Sequence, residues 1–252
     1  MLPFLLACAP PEPAPRDLDA LFHDTWAHYG AKDDAGLADA IREMAALVDV
    51  DALPLEGTID DLTLEAVVAA GLDGPDPEPA RGMYSVGFVA CTPEQMENIL
   101  VAEDQMSLYP DNYLAYTRTY TSDRDAYAAR DTHHLTWETD YTVEIPVLAT
   151  YTANVLGGAH WTPDGDAGPY LFSRTAMTGP ADAVQDNVVF EIDFQMEAFY
   201  PSGDGMVHAF GMWRSIAFGD LDTENDGTVD LILGGLHDWD DKTSAICAEG
   251  RI

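Results

Sequence analysis

The chain has 252 residues, of which 47 % are hydrophobic, so it can bury a sizeable core as one large domain or two small ones. Its 45 acidic and 11 basic residues give a formal net charge of −34. Nucleic acids and anionic lipid headgroups bind to positive charge, so this balance excludes both as expected partners. The acidic residues are expected to form a solvated surface that attracts cations.

The first 16 residues differ from the rest of the chain. An apolar run over 1–7 ends at Cys8, and four prolines follow between positions 10 and 15. The run is shorter than the ~20 residues that cross a bilayer, and the prolines predict an extended tether. This start resembles that of bacterial envelope lipoproteins. The resemblance implies that Cys8 is lipidated and that the protein faces the periplasm or the exterior of the cell envelope, with the lipid as its only membrane contact.

Helical periodicity dominates the chain before residue 73. Apolar residues recur with the helical period over 17–29 and 34–48, and Asp61 is placed to cap a third helix that runs to about residue 72. Prolines and glycines then interrupt the pattern over 73–82. We therefore expect a helical region over 17–72, followed by a segment that is either a domain boundary or a loop within one domain.

Alternation with a period of 2 replaces the helical pattern after Gly82, apart from one helix that Pro93 opens and that runs to about Glu103. Apolar and polar side chains alternate over 134–144 and over 190–198, which is typical of antiparallel strands with one buried and one solvated face. The residues over 202–205 are typical of a hairpin turn. The sequence thus predicts an α+β protein in which N-terminal helices precede a curved antiparallel sheet, or a partly closed barrel, of about seven or eight strands over 83–252.

The order of strand, helix and strand run resembles that of lipocalin-like and START-like folds, which hold ligands. A START-type fold ends in a long helix, whereas the apolar segment Leu231–Leu236 favours a short strand here. If the sheet encloses a cavity, large apolar side chains are expected to line it. The candidates for this lining are Trp137, Tyr141, Ile192 and Phe194.

A calcium-type loop is predicted over 222–233. Acidic residues stand at loop positions 1, 3, 5 and 9, Gly227 stands at position 6, and a backbone carbonyl is available at position 7. The stretch resembles single calcium loops of the dockerin, thrombospondin type 3 and FG-GAP kind. Leu233 replaces the bidentate glutamate of an EF-hand at position 12, so we expect weak calcium binding, with Kd of about 10⁻⁴ to 10⁻³ M. The expected ligands are Asp222, Glu224, Asp226, Thr228 and Asp230.

Two cysteines remain once Cys8 is assigned to lipidation. In an oxidising compartment Cys91 and Cys247 are expected to form a disulfide, which requires Cα atoms within about 7 Å of each other. The alternative is a pair of separate buried thiols.

The histidines give no metal motif. His133 and His134 are adjacent, so on a strand they point to opposite faces and do not share a metal easily. We expect His134 to be solvated, and His160 and His208 to be packed. The His-Glu-x-x-His, Gly-x-Ser-x-Gly, P-loop and Rossmann patterns are all missing from the sequence.

Three functions follow from these observations. The first is a calcium-stabilised envelope lipoprotein that acts as a structural module or binds a protein partner. The second is a carrier whose sheet encloses a small apolar ligand. The third is a hydrolase with a site that no motif marks. The missing catalytic motifs favour a protein without enzymatic activity.

Overall fold

The computed structural model describes residues 16–145, 149–163 and 168–252, and these form an α+β fold built on one antiparallel sheet, as predicted. The α-helices in the described residues are α1 (Leu18–Ala31), α2 (Asp34–Leu47), α3 (Leu64–Ala69), α4 (Pro93–Leu100), α5 (Gln105–Leu108), α6 (Arg124–Ala128) and α7 (Asp226–Glu249). The strands are β1 (Leu55–Ile59), β2 (Arg81–Val89), β3 (Tyr113–Tyr120), β4 (His134–Ile145), β5 (Ala149–Thr162), β6 (Tyr170–Met177), β7 (Asp182–Ala183), β8 (Val188–Ser202), β9 (Gly205–Phe218) and β10 (Leu221–Asp222).

The sheet is open. Its strands lie in the order β1-β2-β9-β8-β6-β5-β4-β3, with β10 paired to β9 and β7 paired to β5. Because β1 and β3 lie at opposite ends of this order, the partly closed barrel that the sequence allowed is not formed. The ten strands of the described residues exceed the predicted seven or eight, since β7 and β10 have two residues each and β1 lies inside the region predicted to be helical.

The first two helices each begin at an aspartate that caps them. The Asp17 carboxylate accepts the N–H of Ala20 at the start of α1, and the Asp33 carboxylate accepts the N–H of Gly36 at the start of α2. Each such cap is worth about 1 kcal/mol. The third helix is shorter than predicted, because Thr63 rather than Asp61 caps α3.

The helices α1, α2 and α3 cover one face of the sheet, which we call the helix face. Its core is made of large, buried apolar side chains, and Trp26, Phe194 and Trp213 are at most 1 % exposed. Their rings meet edge to face, with centroids 5.9 Å apart for Trp26 and Phe194 and 5.5 Å apart for Trp26 and Trp213. Ala80 is buried in the same core, directly before β2 in the segment that joins α3 to β2.

The opposite face, which we call the cavity face, is covered by α4 and α7. Leu135, Trp137 and Leu171 lie on this face together with residues of α4 and with Ile246 of α7. The hairpin between β8 and β9 turns at Gly203 and Asp204, as predicted, and Gly203 supplies the left-handed backbone (φ 56°) that the turn needs. The predicted alternation holds over 134–144, but helices cover both faces of the central strands.

The C-terminal segment corrects one prediction. Leu231–Leu236 lies within the 24-residue helix α7 and is not a short strand, so the chain does end in a long helix. Asn225 caps its start, Gly250 ends it in the left-handed conformation, and Val229 and Leu233 pack on Met83, Phe210 and Met212 of the sheet. The two adjacent glycines at 234 and 235 and the apolar run before them hide the helical period, because glycine is a poor helix former and branched residues favour strands.

The predicted disulfide is present. Cys91 follows β2, Cys247 lies in the last turns of α7, and their Cα atoms are 5.4 Å apart. The bond therefore fastens the end of α7 to the cavity face of the sheet. The predicted lipidation site, Cys8, lies outside the described residues. Within the part of the chain that the structure describes, no helix combines the length and apolar character needed to cross a bilayer.

Candidate functional site

A cavity of about 290 Å³ lies between the cavity face of the sheet and the inner side of α7. The strands β3, β4, β5, β6, β8 and β9 form its floor and walls. Gly235, Leu236 and Trp239 of α7 form its roof, and Ile99 and Leu100 of α4 close one side. A void of this volume is at the lower end of the range for small-molecule sites.

Aromatic side chains form one part of the lining. Tyr113, Tyr141 and Tyr151 stand in a row, with ring centroids 6.1 Å apart for the first pair and 6.3 Å for the second. Burial raises the pKa of Tyr151 to about 12 and also raises that of Tyr141. These phenols therefore stay protonated at neutral pH and act as hydrogen-bond donors rather than as bases.

A buried ion pair forms the polar part of the lining. Asp193 of β8 and Arg214 of β9 are cross-strand partners, and the guanidinium donates to both carboxylate oxygens at 3.0 and 2.9 Å. The Gln195 amide also donates to the Asp193 carboxylate. Since burying an unpaired charge is costly, the mutual neutralisation of these two groups is what allows them to lie in the interior.

One hydroxyl of the lining is uncommitted. Thr139 of β4 is 3 % exposed and lines the cavity, and its Oγ1 has no hydrogen-bond partner among the residues that the structure describes. Two further hydroxyl residues, Ser173 and Thr175 of β6, line the same cavity. Buried polar atoms are normally hydrogen-bonded, so the Thr139 hydroxyl marks a position where a bound molecule can supply the partner.

A histidine connects the roof to the wall of the cavity. His208 of β9 is 2 % exposed, its Nδ1 lies 2.7 Å from the Asp240 carboxylate of α7, and its Nε2 lies 3.5 Å from the Glu197 carboxylate of β8. Burial opposes protonation of the imidazole, but the two carboxylates outweigh it and raise the pKa of His208 to about 9. The side chain is therefore an imidazolium at neutral pH and holds α7 against the sheet.

The four predicted cavity residues divide into two pairs. Trp137 and Tyr141 line the cavity, whereas Ile192 and Phe194 belong to the core of the helix face. The register of β8 against β9 shifts between Phe190 and Ile192, so an extra residue there moves the following side chains to the other face. The prediction that Ile192 and Phe194 line the cavity is thus wrong, because this shift places them on the helix face.

The same reasoning missed the polar lining. Asp193, Gln195 and Glu197 alternate with apolar residues as on a solvated strand, yet all three line the cavity. The adjacent Arg214, in a chain with only 11 basic residues, was the available signal that an acidic residue of this strand has a buried partner.

The structure places the predicted calcium ligands at the start of α7. Asp222 and Glu224 precede the helix, Asp226 is its first residue, and Thr228 and Asp230 follow within its first turns. Thr228 is buried, and the Asp226 carboxylate lies 3.0 Å from the guanidinium of Arg81. The loop thus joins the short strand β10 to the helix α7. Calcium binding there stays a prediction.

Among the described residues, a group of three candidate metal ligands lies elsewhere. Asp34, His134 and His160 have ligand atoms that all lie within 4.8 Å of one another. Asp34 belongs to α2, and His160 lies opposite Phe172 in the sheet, so this group is on the helix face and not in the cavity.

Comparison with known proteins gives structural similarities only. No protein-family model and no curated protein matches the chain. The chain is similar to the structure of human STARD10, with 10 % identity, 84 % of this chain and 79 % of that chain covered, and a TM-score of 0.46. It is also similar to human StAR-related lipid transfer protein 5, with 9 % identity, 88 % of this chain and 99 % of that chain covered, and a TM-score of 0.42. A third similar structure is the lipid transfer and protein localization domain of human StarD13, with 12 % identity, 84 % of this chain and 95 % of that chain covered, and a TM-score of 0.42.

Proposed function

We propose that this chain binds a small, neutral amphiphilic molecule in its cavity and serves as a carrier or receptor for it. The observation that carries the proposal is the buried Thr139 hydroxyl, which stands without a partner in the described structure beside an aromatic row and a self-neutralised ion pair. In a cavity of this composition, the apolar part of a ligand can pack against the aromatic wall, and one polar group of the ligand can form a hydrogen bond with the Thr139 hydroxyl.

The charge balance of the lining favours a neutral ligand. Its charged side chains are two arginines and two acids: Arg118, Arg214, Asp193 and Glu197. Arg214 is committed to Asp193, and Glu197 lies near the imidazolium of His208. A ligand with a net charge would lack a counter-charge and would bear the full cost of desolvation.

The remaining charged group, the guanidinium of Arg118, also already has partners within the protein. Its guanidinium donates to the Leu100 carbonyl at 2.6 Å and to the Tyr116 hydroxyl at 3.0 Å, and it lies 4.2 Å from the centre of the Trp137 ring. Hydroxyl, carbonyl or amide groups are therefore the ligand groups that suit this lining. The hydrogen bonds of the lining also favour binding over hydrolysis. The Asp193 carboxylate accepts from Arg214 and Gln195, so it is not free to act as a base.

Binding of defined probes tests the proposal. Because Trp137 and Trp239 line the cavity, their fluorescence should change on titration with a medium-chain primary alcohol. The carboxylate and the ammonium analogues of the same chain length should bind at least about tenfold more weakly, a difference of about 1.4 kcal/mol. Thr139→Val should weaken binding of the alcohol by about 3- to 10-fold, since it removes one hydrogen bond of about 1 kcal/mol and little volume.

A matched pair of variants in β5 provides the control. Val155→Phe adds bulk to a side chain that lines the cavity, whereas Asn154→Phe adds similar bulk to the exposed, opposite side of the same strand. We expect the first to abolish binding and the second to leave it unchanged. Equal binding by both variants, or no saturable binding of any neutral amphiphile by the native protein, would contradict the proposal.

We also propose, from the sequence start, that the chain is held at the bacterial cell envelope through a lipid on Cys8. A Cys8→Ala variant, expressed with the leader that directs export, should move from the membrane fraction to the soluble fraction. Membrane association that survives this substitution would contradict the anchor. The cavity proposal does not depend on this outcome, because Cys8 lies outside the described residues.

A further inference from the structure

Three elements of the helix face bring together a compact group of imidazole and carboxylate side chains. Asp34 is the first residue of α2, His134 is the first residue of β4, and His160 lies in β5 directly opposite His134. The Asp34 Oδ1 atom lies 2.8 Å from His134 Nε2 and 3.8 Å from His160 Nε2. A single oxygen of Asp34 therefore stands between the Nε2 atoms of two histidines that come from neighbouring strands.

The buried member of the group points to a ligand. His160 is 0 % exposed, and within the described part of the chain neither of its ring nitrogens has a hydrogen-bond partner. A neutral imidazole carries one donor and one acceptor, and leaving both unpaired in the interior is costly. The hydrogen bond between His134 and Asp34 satisfies those two side chains but not His160, so a simple surface pair does not account for the arrangement.

His133 adds a potential fourth ligand. Its Nδ1 lies 3.8 Å from Asp34 Oδ2, and its ring centroid lies 6.0 Å from that of His160. His133 precedes β4, so the alternation of a strand does not direct its side chain to the opposite face from His134. The expectation that the two adjacent histidines do not share a metal easily assumed a strand at both positions, but only His134 lies in β4.

We propose that Asp34, His134 and His160 form a binding site for a divalent transition-metal ion of the zinc type, with His133 positioned to complete it. Imidazole nitrogens select zinc and its neighbours in the periodic table, whereas calcium and magnesium prefer sets of oxygen atoms.

The spacing of the ligands fits this ion. Zinc holds nitrogen and oxygen ligands at about 2.0 to 2.2 Å in a tetrahedron, which places neighbouring ligand atoms about 3.4 Å apart. The observed separations of 2.8 and 3.8 Å from the Asp34 oxygen lie on either side of that value.

The role that the geometry assigns to the ion is structural. It would tie the start of α2 to the paired strands β4 and β5, on the face opposite the ligand cavity. The β4 side chains that line the cavity, such as Trp137, point to the other face of the sheet. The metal site is therefore independent of the proposed cavity ligand.

Titration with zinc chloride alone tests the proposal. The full-length, untagged protein is first stripped with a chelator and kept in about 2 mM calcium, which occupies weak sites made of surface carboxylates. We expect one zinc ion to bind per chain with Kd of about 1 µM or tighter. At free zinc of about 100 times Kd the melting temperature should rise by about 5 to 10 °C. Cobalt(II) gives a second readout, because the four-coordinate ion absorbs visible light more strongly than six-coordinate cobalt on a carboxylate surface.

Variants locate the site. Asp34→Asn and His134→Gln change side chains that are 47 % and 20 % exposed, so these variants should fold, and each should weaken zinc binding at least about tenfold and abolish the cobalt band. His160→Leu should do the same if it folds. His237→Gln is the matched control, because it removes a histidine that pairs with a single carboxylate, Glu56, at 2.7 Å outside the group. Zinc binding that is absent from the native protein, or that Asp34→Asn and His134→Gln leave unchanged, would overturn the proposal.

Discussion

The two faces of one sheet differ in how completely they are filled. On the helix face, α1, α2 and α3 place aromatic rings such as Trp26 directly on Phe194 and Trp213, and these side chains are at most 1 % exposed. On the cavity face, the long helix α7 covers the same strands but leaves about 290 Å³. The difference lies in the side chains of alternate positions: the helix face of β8 is apolar, whereas its cavity face carries Asp193, Gln195 and Glu197.

The comparison shows which interactions hold each layer. Close packing stabilises the helix face, so its side chains should tolerate truncation poorly. The cover of the cavity face depends on fewer, specific links: the disulfide between Cys91 and Cys247, the Asp240–His208–Glu197 chain, and the apolar contacts of Val229 and Leu233. A layer held in this way can enclose a void and still be stable, because the links do not require the space between them to be filled.

Truncation of one aromatic side chain on each face tests this contrast most strongly. Phe194→Ala should lower the free energy of unfolding by about 4 kcal/mol, because it opens a cavity in a packed core. Tyr151→Ala, on the cavity face, should cost less than about 2 kcal/mol, since its ring already borders empty space and is partly exposed. Urea unfolding followed by circular dichroism measures both. Equal losses would mean that the two faces are packed alike.

The buried ion pair gives the next largest effect. Arg214→Met should cost about 3 kcal/mol, because it leaves the Asp193 carboxylate, 3 % exposed, without its counter-charge. The double variant Asp193→Leu with Arg214→Met should recover most of that loss, since apolar residues of similar volume often replace a buried pair at little cost. The same unfolding experiment decides: a loss below about 1 kcal/mol in the single variant would show that water in the cavity solvates Asp193.

Much of this architecture follows from periodicity. The spacing of apolar residues predicts α1 and α2 to within two residues, and the capping residues Asp17 and Asp33 explain where they begin. The alternation over 134–144 predicts β4 and its buried face, with Trp137 and Tyr141 in the cavity. Local propensity and pattern suffice here because each element is regular and amphipathic.

The cavity lining could not be predicted in the same way. The alternation along β8 shows two kinds of side chain but not which face a later helix will enclose, and the shift near Glu191 reverses the assignment of Ile192 and Phe194. The helical period of α7 is broken by Gly234 and Gly235, so its role as the roof is visible only in the tertiary structure. The metal-ligand group likewise joins Asp34 to His134 across 100 residues, a distance that no local motif spans.

The protonation of His208 predicts how the cover of the cavity face responds to pH. The charged and titratable groups that face its ring nitrogens are Asp240 of α7 and Glu197 of β8. Its pKa is raised to about 9 in the folded protein, above the value of about 6.5 in the unfolded chain, so folding favours the protonated form. This stabilisation is present in full below about pH 6.5 and is lost as the pH rises through about 9.

The size of this effect is about 2 to 3 kcal/mol between pH 6.5 and pH 9. Unfolding measured across that range should show the loss in the native protein, and His208→Gln should remove it. The exposed His237, which pairs with Glu56, is the matched control, and His237→Gln should leave the pH dependence unchanged. A native protein as stable at pH 9 as at pH 6.5 would mean that His208 is neutral and does not link the roof to the wall.

Calcium at the start of α7 should have the smallest effect on this layer. With a Kd of about 10⁻⁴ M, about 1 mM calcium would stabilise the fold by about 1.4 kcal/mol and raise the melting temperature by about 3 to 5 °C.

Arg81 already supplies a positive partner for Asp226, 3.0 Å away, so an ion must compete with the guanidinium for this carboxylate. Arg81→Ala should therefore strengthen calcium binding, whereas Asp226→Ala should abolish it. Asp204→Ala, in the distant hairpin turn between β8 and β9, should change neither the melting temperature nor its calcium dependence. If calorimetry at millimolar calcium shows no binding by the native protein or by Arg81→Ala, the acidic residues at 222–230 serve only to begin the helix, with Asn225 as its cap.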